Sequence, residues 1–281
     1  MIPARNQYTL HTADHWELSA QEWLPESAPH AVVCLIHGLG EHSSRYAHVA
    51  GFLTRAGFVL NTFDLRGHGN SPGQRGHVQS YETCLDDIQC LLDDTARRYA
   101  GKSIFLYGQS LGGGLALNFA LRRKSHLAGV IATAPLLRLA FEPPLHRVIL
   151  AKVMNRVRPA HSNVCGCEAA ALSRDPAVVR RYVEDPLNHD LISARLYVEA
   201  SRAGLWALAH AAELRLRALV MHGDADRLTS ADASRQFAER AGRCCTLKIW
   251  DGAYHELHNE PEKDAVFAYI LAWLKDAAKR G

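Results

Sequence analysis

No apolar run in this 281-residue chain reaches the roughly 18–20 uncharged residues needed to span a bilayer. The first residues, Met1-Ile2-Pro3-Ala4-Arg5-Asn6, lack the apolar stretch of a signal peptide. Charge imbalance is also lacking: the formal net charge is +3, too small to argue for a nucleic-acid partner. The seven cysteines, Cys34, Cys84, Cys90, Cys165, Cys167, Cys244 and Cys245, show no paired CxxC spacing of a zinc site. Their number is odd and several stand in apolar runs, so reduced, structural thiols are expected. No metal or cofactor is expected. With 48% hydrophobic and 22% charged residues, the composition is that of a folded globular chain. The expectation is a soluble cytoplasmic protein of one large domain, or one domain carrying an insertion.

What is present is an alternation of strands and helices. Residues 7–24 alternate weakly and predict an antiparallel hairpin turning near Asp14-His15. Ala31 to Ile36 is a continuous apolar run of the kind buried in a parallel sheet. A helical pattern over 45–56, a strand over 58–63 and a helix over 81–100 follow. Strands are next predicted from Ser103 and over Leu127 to Ala134. The rhythm then breaks: residues 137–205 show no strand-like run, five prolines and short helical patterns. Alternation resumes with a strand from Leu219, a helix over 231–241, a strand from Thr246 to Trp250 and a helix over 262–279. This order implies a mostly parallel sheet with helices on both faces, hence an α/β class. The expected division is a core from 1–136 and 206–281, with a helical cap at 137–205 above the strand ends. Ligands of open α/β sheets bind at those carboxyl ends.

The chemistry gathers there. In Gly108-Gln109-Ser110-Leu111-Gly112 an apolar strand meets Gly-x-Ser-x-Gly and a helix opens directly behind it. This is the form of a nucleophile elbow, a strained turn that thrusts the serine hydroxyl outward. A serine hydroxyl needs an adjacent base and the base an orienting acid, which in this fold follow in the order acid, histidine. Asp224 and Asp226 stand just past the strand from Leu219, with Asp226 the expected acid and Asp224 its competitor. His255 and His258 stand just past Trp250, with His255, the first to leave the strand, the expected base and His258 its competitor. An oxyanion hole needs two backbone amides, expected from Leu111 behind the serine and from Leu39 in the turn His37-Gly38-Leu39-Gly40.

Five blocks resemble the monoacylglycerol lipases and their bacterial lysophospholipase-like relatives, among the serine aminopeptidase S33-type hydrolases. They are His37 to Tyr46, Asp64 to Ser71, Gly108 to Gly113, His222 to Leu228 and Gly252 to His258. Asp185-Pro186-Leu187 with Ser193-Ala194-Arg195 in the cap is also similar to this family. The resemblance covers almost the whole chain and implies an α/β-hydrolase fold with Ser110, Asp226 and His255 as triad. It further implies Leu39 and Leu111 as oxyanion donors, and Glu41, Arg45 and His258 around the glycerol end of the ester. Glu41 and Arg45 also read as an ion pair bracing their loop. Two departures stand out: the elbow has Gln109 and Leu111 where mammalian lipases have His and Met, and Thr229 stands where they have cysteine.

The implied activity is hydrolysis of monoacylglycerols to fatty acid and glycerol. Lysophospholipase or short-chain carboxylesterase activity is the enzymatic alternative, and a non-catalytic binding protein on a hydrolase scaffold the remote one. The implied partner is a small lipid ester, met by a monomer or homodimer. Residues 136–158 mix apolar side chains, among them Leu136, Leu139, Phe141, Leu145, Ile149 and Met154, with Arg138, Arg147, Lys152, Arg156 and Arg158. That pattern suits either a cap helix packed over the pocket or peripheral contact with the inner membrane surface.

Overall fold

A computed structural model describes residues 4–279; the signal-peptide expectation falls partly on residues 1–3, outside the described residues. Strands β1 (Ala4–His11) and β2 (Glu17–Leu24) form the expected hairpin, with Ala4 opposite Leu24 and His11 opposite Glu17. Then come β3 (Ala31–Ile36), a 3-10 turn at Ser43–Tyr46, α1 (Ala47–Arg55) and β4 (Phe58–Phe63). Next are α2 (Tyr81–Arg98), β5 (Ser103–Gln109), α3 (Leu111–Arg122) and β6 (Gly129–Thr133). The insertion holds α4 (Leu145–Val157), β7 (Ser162–Val164), α5 (Pro176–Glu184) and β8 (Leu191–Ser193), and leads into α6 (Ala194–His210). The chain ends with β9 (Ala218–Gly223), α7 (Ala231–Ala241), β10 (Cys245–Trp250) and α8 (Lys263–Ala278).

The main sheet has eight strands in the order β1-β2-β4-β3-β5-β6-β9-β10. Only the β1–β2 and β2–β4 pairs are antiparallel. Central strands buried on both faces lose the alternation of a half-exposed strand, which is why β3 reads as an unbroken apolar run. Alternate residues feed two cores. Val32, Cys34 and Ile36 pack with side chains of α2, α3, α6 and α7, while Ala31, Val33 and Leu35 pack with those of α1 and α8.

One feature of the 137–205 segment differs from the sequence expectation. It does contain strands: β7 and β8 pair antiparallel, Ser162 opposite Ser193 and Val164 opposite Leu191. Each is three residues long, and Ser162-Asn163 carries no apolar signal. Residue 205 lies inside α6, which begins at the insertion and ends against the core, burying Leu196, Ala200, Ala203 and Ala207 there. The insertion and the core thus share one continuous helix.

Candidate active site

Ser110 joins β5 to α3 with φ 55° and ψ −114°. A non-glycine residue in the left-handed half of φ space costs about 1–3 kcal/mol and persists only where its surroundings hold it. Here the Ser110 amide donates to the Thr133 carbonyl at 2.9 Å, and the Ser110 carbonyl accepts from Gly114 and Leu136 at 2.9 and 2.8 Å. The flanking glycines permit the close approach. A Cβ on Gly108 would lie 2.0 Å from the Gly112 carbonyl oxygen, and one on Gly112 would lie 2.1 Å from that of Ile36. Leu111 opens α3, so its amide precedes any intrahelical acceptor and adds to the positive end of the helix dipole.

The loop after β3 is set by His37. The Leu65 amide donates to His37 Nε2 at 2.9 Å, which leaves the neutral ring's proton on Nδ1, 2.7 Å from the Gly38 carbonyl oxygen. Burial depresses the His37 pKa, in keeping with a neutral ring. In a trans peptide the carbonyl and the following N–H point opposite ways. Anchoring the Gly38 carbonyl on His37 therefore turns the Leu39 N–H away from it. Gly38 lies against the elbow, since a Cβ there would sit 3.2 Å from Ser110 Cβ. From the insertion, His189 N and the Tyr182 hydroxyl both donate to the Gly40 carbonyl, at 2.9 and 3.2 Å. His42 Nε2 meets Asp185 Oδ2 at 2.9 Å, joining the Asp-Pro-Leu turn to this loop.

Asp226 and His255 meet across the ends of β9 and β10, with His255 Nδ1 2.7 Å from Asp226 Oδ2. Asp226 Oδ1 also accepts from the Leu228 and Thr229 amides at 2.7 and 3.1 Å, which orients the carboxylate. Burial works to raise the Asp226 carboxyl, but His255 and His222 hold it well below the ordinary range. For His255, burial disfavours the imidazolium and the Asp226 carboxylate outweighs it, so its pKa is raised. Asp224 is exposed and its Oδ1 accepts from the Gly252 amide at 2.7 Å, a turn-bracing role. Ser110, Leu39, Leu111, Thr229 and His255 line one cavity of about 140 Å³, together with Leu136, Leu139, Phe141 and Leu172. Among the described residues no hydrogen bond joins Ser110 to His255; they share the cavity wall.

Glu41, Arg45 and His258 are not in that wall. Glu41 Oε1 accepts from the Gly38 amide at 2.6 Å and from the Tyr46 hydroxyl at 2.7 Å, and its Oε2 takes an Arg45 N–H. Arg45 also grips Glu256 in a bidentate pair at 2.7 and 2.8 Å and lies 4.8 Å over the Tyr182 ring. A separate polar cavity of about 410 Å³ is lined by Arg45 with His48 and Lys263. His258 is wholly buried, stacked on Tyr46 with ring centroids 4.7 Å apart, and burial pushes its pKa down to about 3. The structure therefore gathers these three residues into a buried network that fixes the Gly38 loop from behind. The ion-pair reading of Glu41 and Arg45 describes this geometry.

The family described as "Serine aminopeptidase, S33" matches residues 27–262. This chain belongs to that family. A monoacylglycerol lipase of Mycolicibacterium smegmatis is 33% identical over 256 residues, 90% of each chain. An uncharacterized abhydrolase domain-containing protein of Dictyostelium discoideum is 37% identical over 270 residues; the match takes in 95% of this chain and 28% of that longer one. Among solved structures, the Paleococcus ferrophilus monoacylglycerol lipase superposes with a TM-score of 0.86 at 36% identity, covering 93% of this chain and 99% of that one. The fold is that of an α/β-hydrolase.

In this S33-family hydrolase, three further side chains tie the site together, and two of them stand at the departures noted in the sequence. Gln109 Nε2 donates to the His255 carbonyl at 3.1 Å, tying the elbow to the histidine loop. The Thr229 hydroxyl, at the departure from the mammalian pattern, donates to Asp226 Oδ2 at 2.9 Å. His222 Nε2 stands 2.9 Å from the same oxygen. The one signal for His222 was its place: a polar residue inside a buried strand, four positions before the acid.

Proposed function

We propose that this S33-family hydrolase cleaves the ester bond of monoacylglycerols, releasing fatty acid and glycerol through an acyl-enzyme. The observation that carries this reading is the Asp226–His255 pair in the wall of the same apolar cavity as the strained Ser110. Ser110 Oγ attacks the ester carbonyl as His255 takes its proton, and the new imidazolium is stabilised by Asp226. The Leu39 and Leu111 amides receive the tetrahedral oxyanion. His255 then returns the proton to the glycerol oxygen, whose bond to the acyl carbon breaks. Water, giving a proton to His255, attacks the acyl carbon; the acyl–Oγ bond breaks as His255 returns that proton to Ser110 Oγ, and the fatty acid leaves. Leu136, Leu139, Phe141 and Leu172 give the cavity the apolar surface an acyl chain needs. Lipase relatives matched over most of both chains support the glycerol ester.

The test is Ser110→Ala assayed on a panel of monoacylglycerols, lysophosphatidylcholine and simple esters across chain lengths. Loss of kcat by at least about 10³-fold is expected, and activity within tenfold of wild type overturns the mechanism. Preference of the native enzyme for lysophosphatidylcholine would overturn the substrate assignment alone.

A lipid surface is the second element of the reading. Helix α4 buries none of its residues fully, and Leu145 and Val157 are 73% and 70% exposed. With Arg147, Lys152 and Arg156 on the same helix, α4 suits an anionic interface from which substrate is drawn. Flotation with anionic liposomes should be reduced by Leu145→Asp with Ile149→Asp. Equal flotation of native and substituted protein removes this element.

A further inference from the structure

Asp226 has a second histidine. His222 lies wholly buried in β9, with Nε2 2.9 Å from Asp226 Oδ2 and 3.1 Å from the Thr229 carbonyl oxygen. These two nearest neighbours of that nitrogen are acceptors, and the third, the Thr229 hydroxyl at 3.3 Å, gives its own proton to Asp226 Oδ2, so Nε2 carries a proton in either charge state of the ring. On the other side, Nδ1 stands 2.7 Å from the Ser234 hydroxyl of α7. The ring is therefore held at both ends, and it aims its Nε2–H at the oxygen that His255 also uses. No water is needed to explain the arrangement, and a fully buried imidazole is a costly way merely to fill space in a strand.

We propose that His222 is a positioning residue of the hydrolytic site, fixing the Asp226 carboxylate and setting how much of its charge reaches His255. This rests on the triad reading above. The physics is competition for one carboxylate oxygen. A donor on Oδ2 disperses negative charge that the His255 imidazolium would otherwise draw upon. Removing the His222 donor leaves Oδ2 more basic, so the His255 imidazolium is held more strongly and its pKa rises. The neutral, base-competent form then requires higher pH. The other ionisable groups facing His255 are Glu256 and Glu41, which also raise its pKa, and the neutral His258. None of them contacts His222; the groups that touch both rings are the Asp226 carboxylate and the Thr229 hydroxyl bound to it, so its removal is read through that pair. The ring also stops the carboxylate from rotating, so its loss should lower turnover.

Two amides separate donor from volume. A glutamine amide nitrogen reaches about as far as Nε2, whereas an asparagine amide ends near Nδ1. His222→Asn should lose about 10–100-fold in kcat/KM and move the acid limb of its pH profile up by about half a unit or more. His222→Gln should restore most of the activity and the native limb. Ser234→Ala, which only frees one end of the ring, should shift the limb the same way by less, and it carries the test if His222→Asn fails to fold. Thermal midpoints and labelling of Ser110 by a fluorophosphonate establish that each variant is folded with a formed elbow. An unchanged limb in folded His222→Asn, or in Ser234→Ala where only that variant folds, overturns the proposal. So does a folded His222→Gln as impaired as His222→Asn. Ser110→Ala distinguishes the two levels: if it stays active the triad reading fails, whereas an inactive Ser110→Ala beside a native-like His222→Asn sinks this inference alone.

Discussion

Replacing Arg45 by alanine separates a brace from a substrate ligand. Its guanidinium lies between Glu41 and Glu256, whose side chains are only 4% and 3% exposed. Removing it strands two buried carboxylates, a loss of about 3–5 kcal/mol. Burial works to raise the Glu256 carboxyl, but Arg45 foremost, with His258 and Asn259, brings it down from 4.5 to about 2. For a chain of this length 1 kcal/mol corresponds to about 2 °C, so the midpoint should fall by about 6–10 °C. The pH dependence has a definite sign. A carboxyl depressed on folding stabilises above its unfolded value, and the contribution fades as pH falls through its folded one. Native stability should thus decline between pH 4.5 and about 2, and in Arg45→Ala this share of the decline should vanish. Equilibrium urea unfolding across pH reads both effects. If the network is a brace, kcat/KM should fall alike for monoacylglycerols and for methyl esters of the same acids. A stability loss under about 1 kcal/mol with KM raised only for the glycerol ester would refute the reasoning.

At the elbow, Ser110→Gly and Ser110→Ala both remove the nucleophile, but only glycine relieves the positive φ. Strain relief of about 2 kcal/mol, less about 1 kcal/mol for glycine's unfolded-state entropy, leaves Ser110→Gly about 1 kcal/mol the more stable; the reverse order in urea unfolding contradicts the strain argument. Gly112→Ala forces a Cβ to within 2.1 Å of the Ile36 backbone oxygen; a destabilisation of about 3 kcal/mol or more, or failure to accumulate as folded protein, is expected, and a native midpoint disproves the clash. Asp226→Asn should cost about 10⁴-fold in kcat, while Asp224→Asn, altering an exposed turn, should stay within a few-fold; similar losses in both would undo the assignment of the acid.

Much of the architecture was legible because the central strands are buried on both faces. Ala31–Ile36 is a continuous apolar run and Phe58–Phe63 a mostly apolar one interrupted by Asn61 and Thr62, and the same residues bound β3 and β4. The strand pair in the insertion was not legible, since three-residue strands reading Ser162-Asn163-Val164 carry no periodic signal and exist only because β8 lies alongside. Within the site, local sequence could place Ser110 on a strand-to-helix turn, since the flanking glycines are required by contacts within a few residues and with β3. Asp226 was the expected acid over Asp224, and it is Asp226 that meets His255, 29 residues further on. Arg45 and Glu256 are 211 residues apart, and their pairing turns a polar motif away from the Ser110 cavity and into a buried brace. His222 opens one of the family blocks, but no role for it could be read there, and its partners Asp226 and Ser234 become neighbours only when the loop after β9 folds back and α7 docks. The chain by itself determined the strand–helix order, the elbow and the set of groups at the strand ends, because those depend on short-range sterics and hydrophobic patterning. Which of those groups touch was decided by tertiary structure alone, because hydrogen bonds and ion pairs act over a few ångströms in space and take no account of distance along the chain.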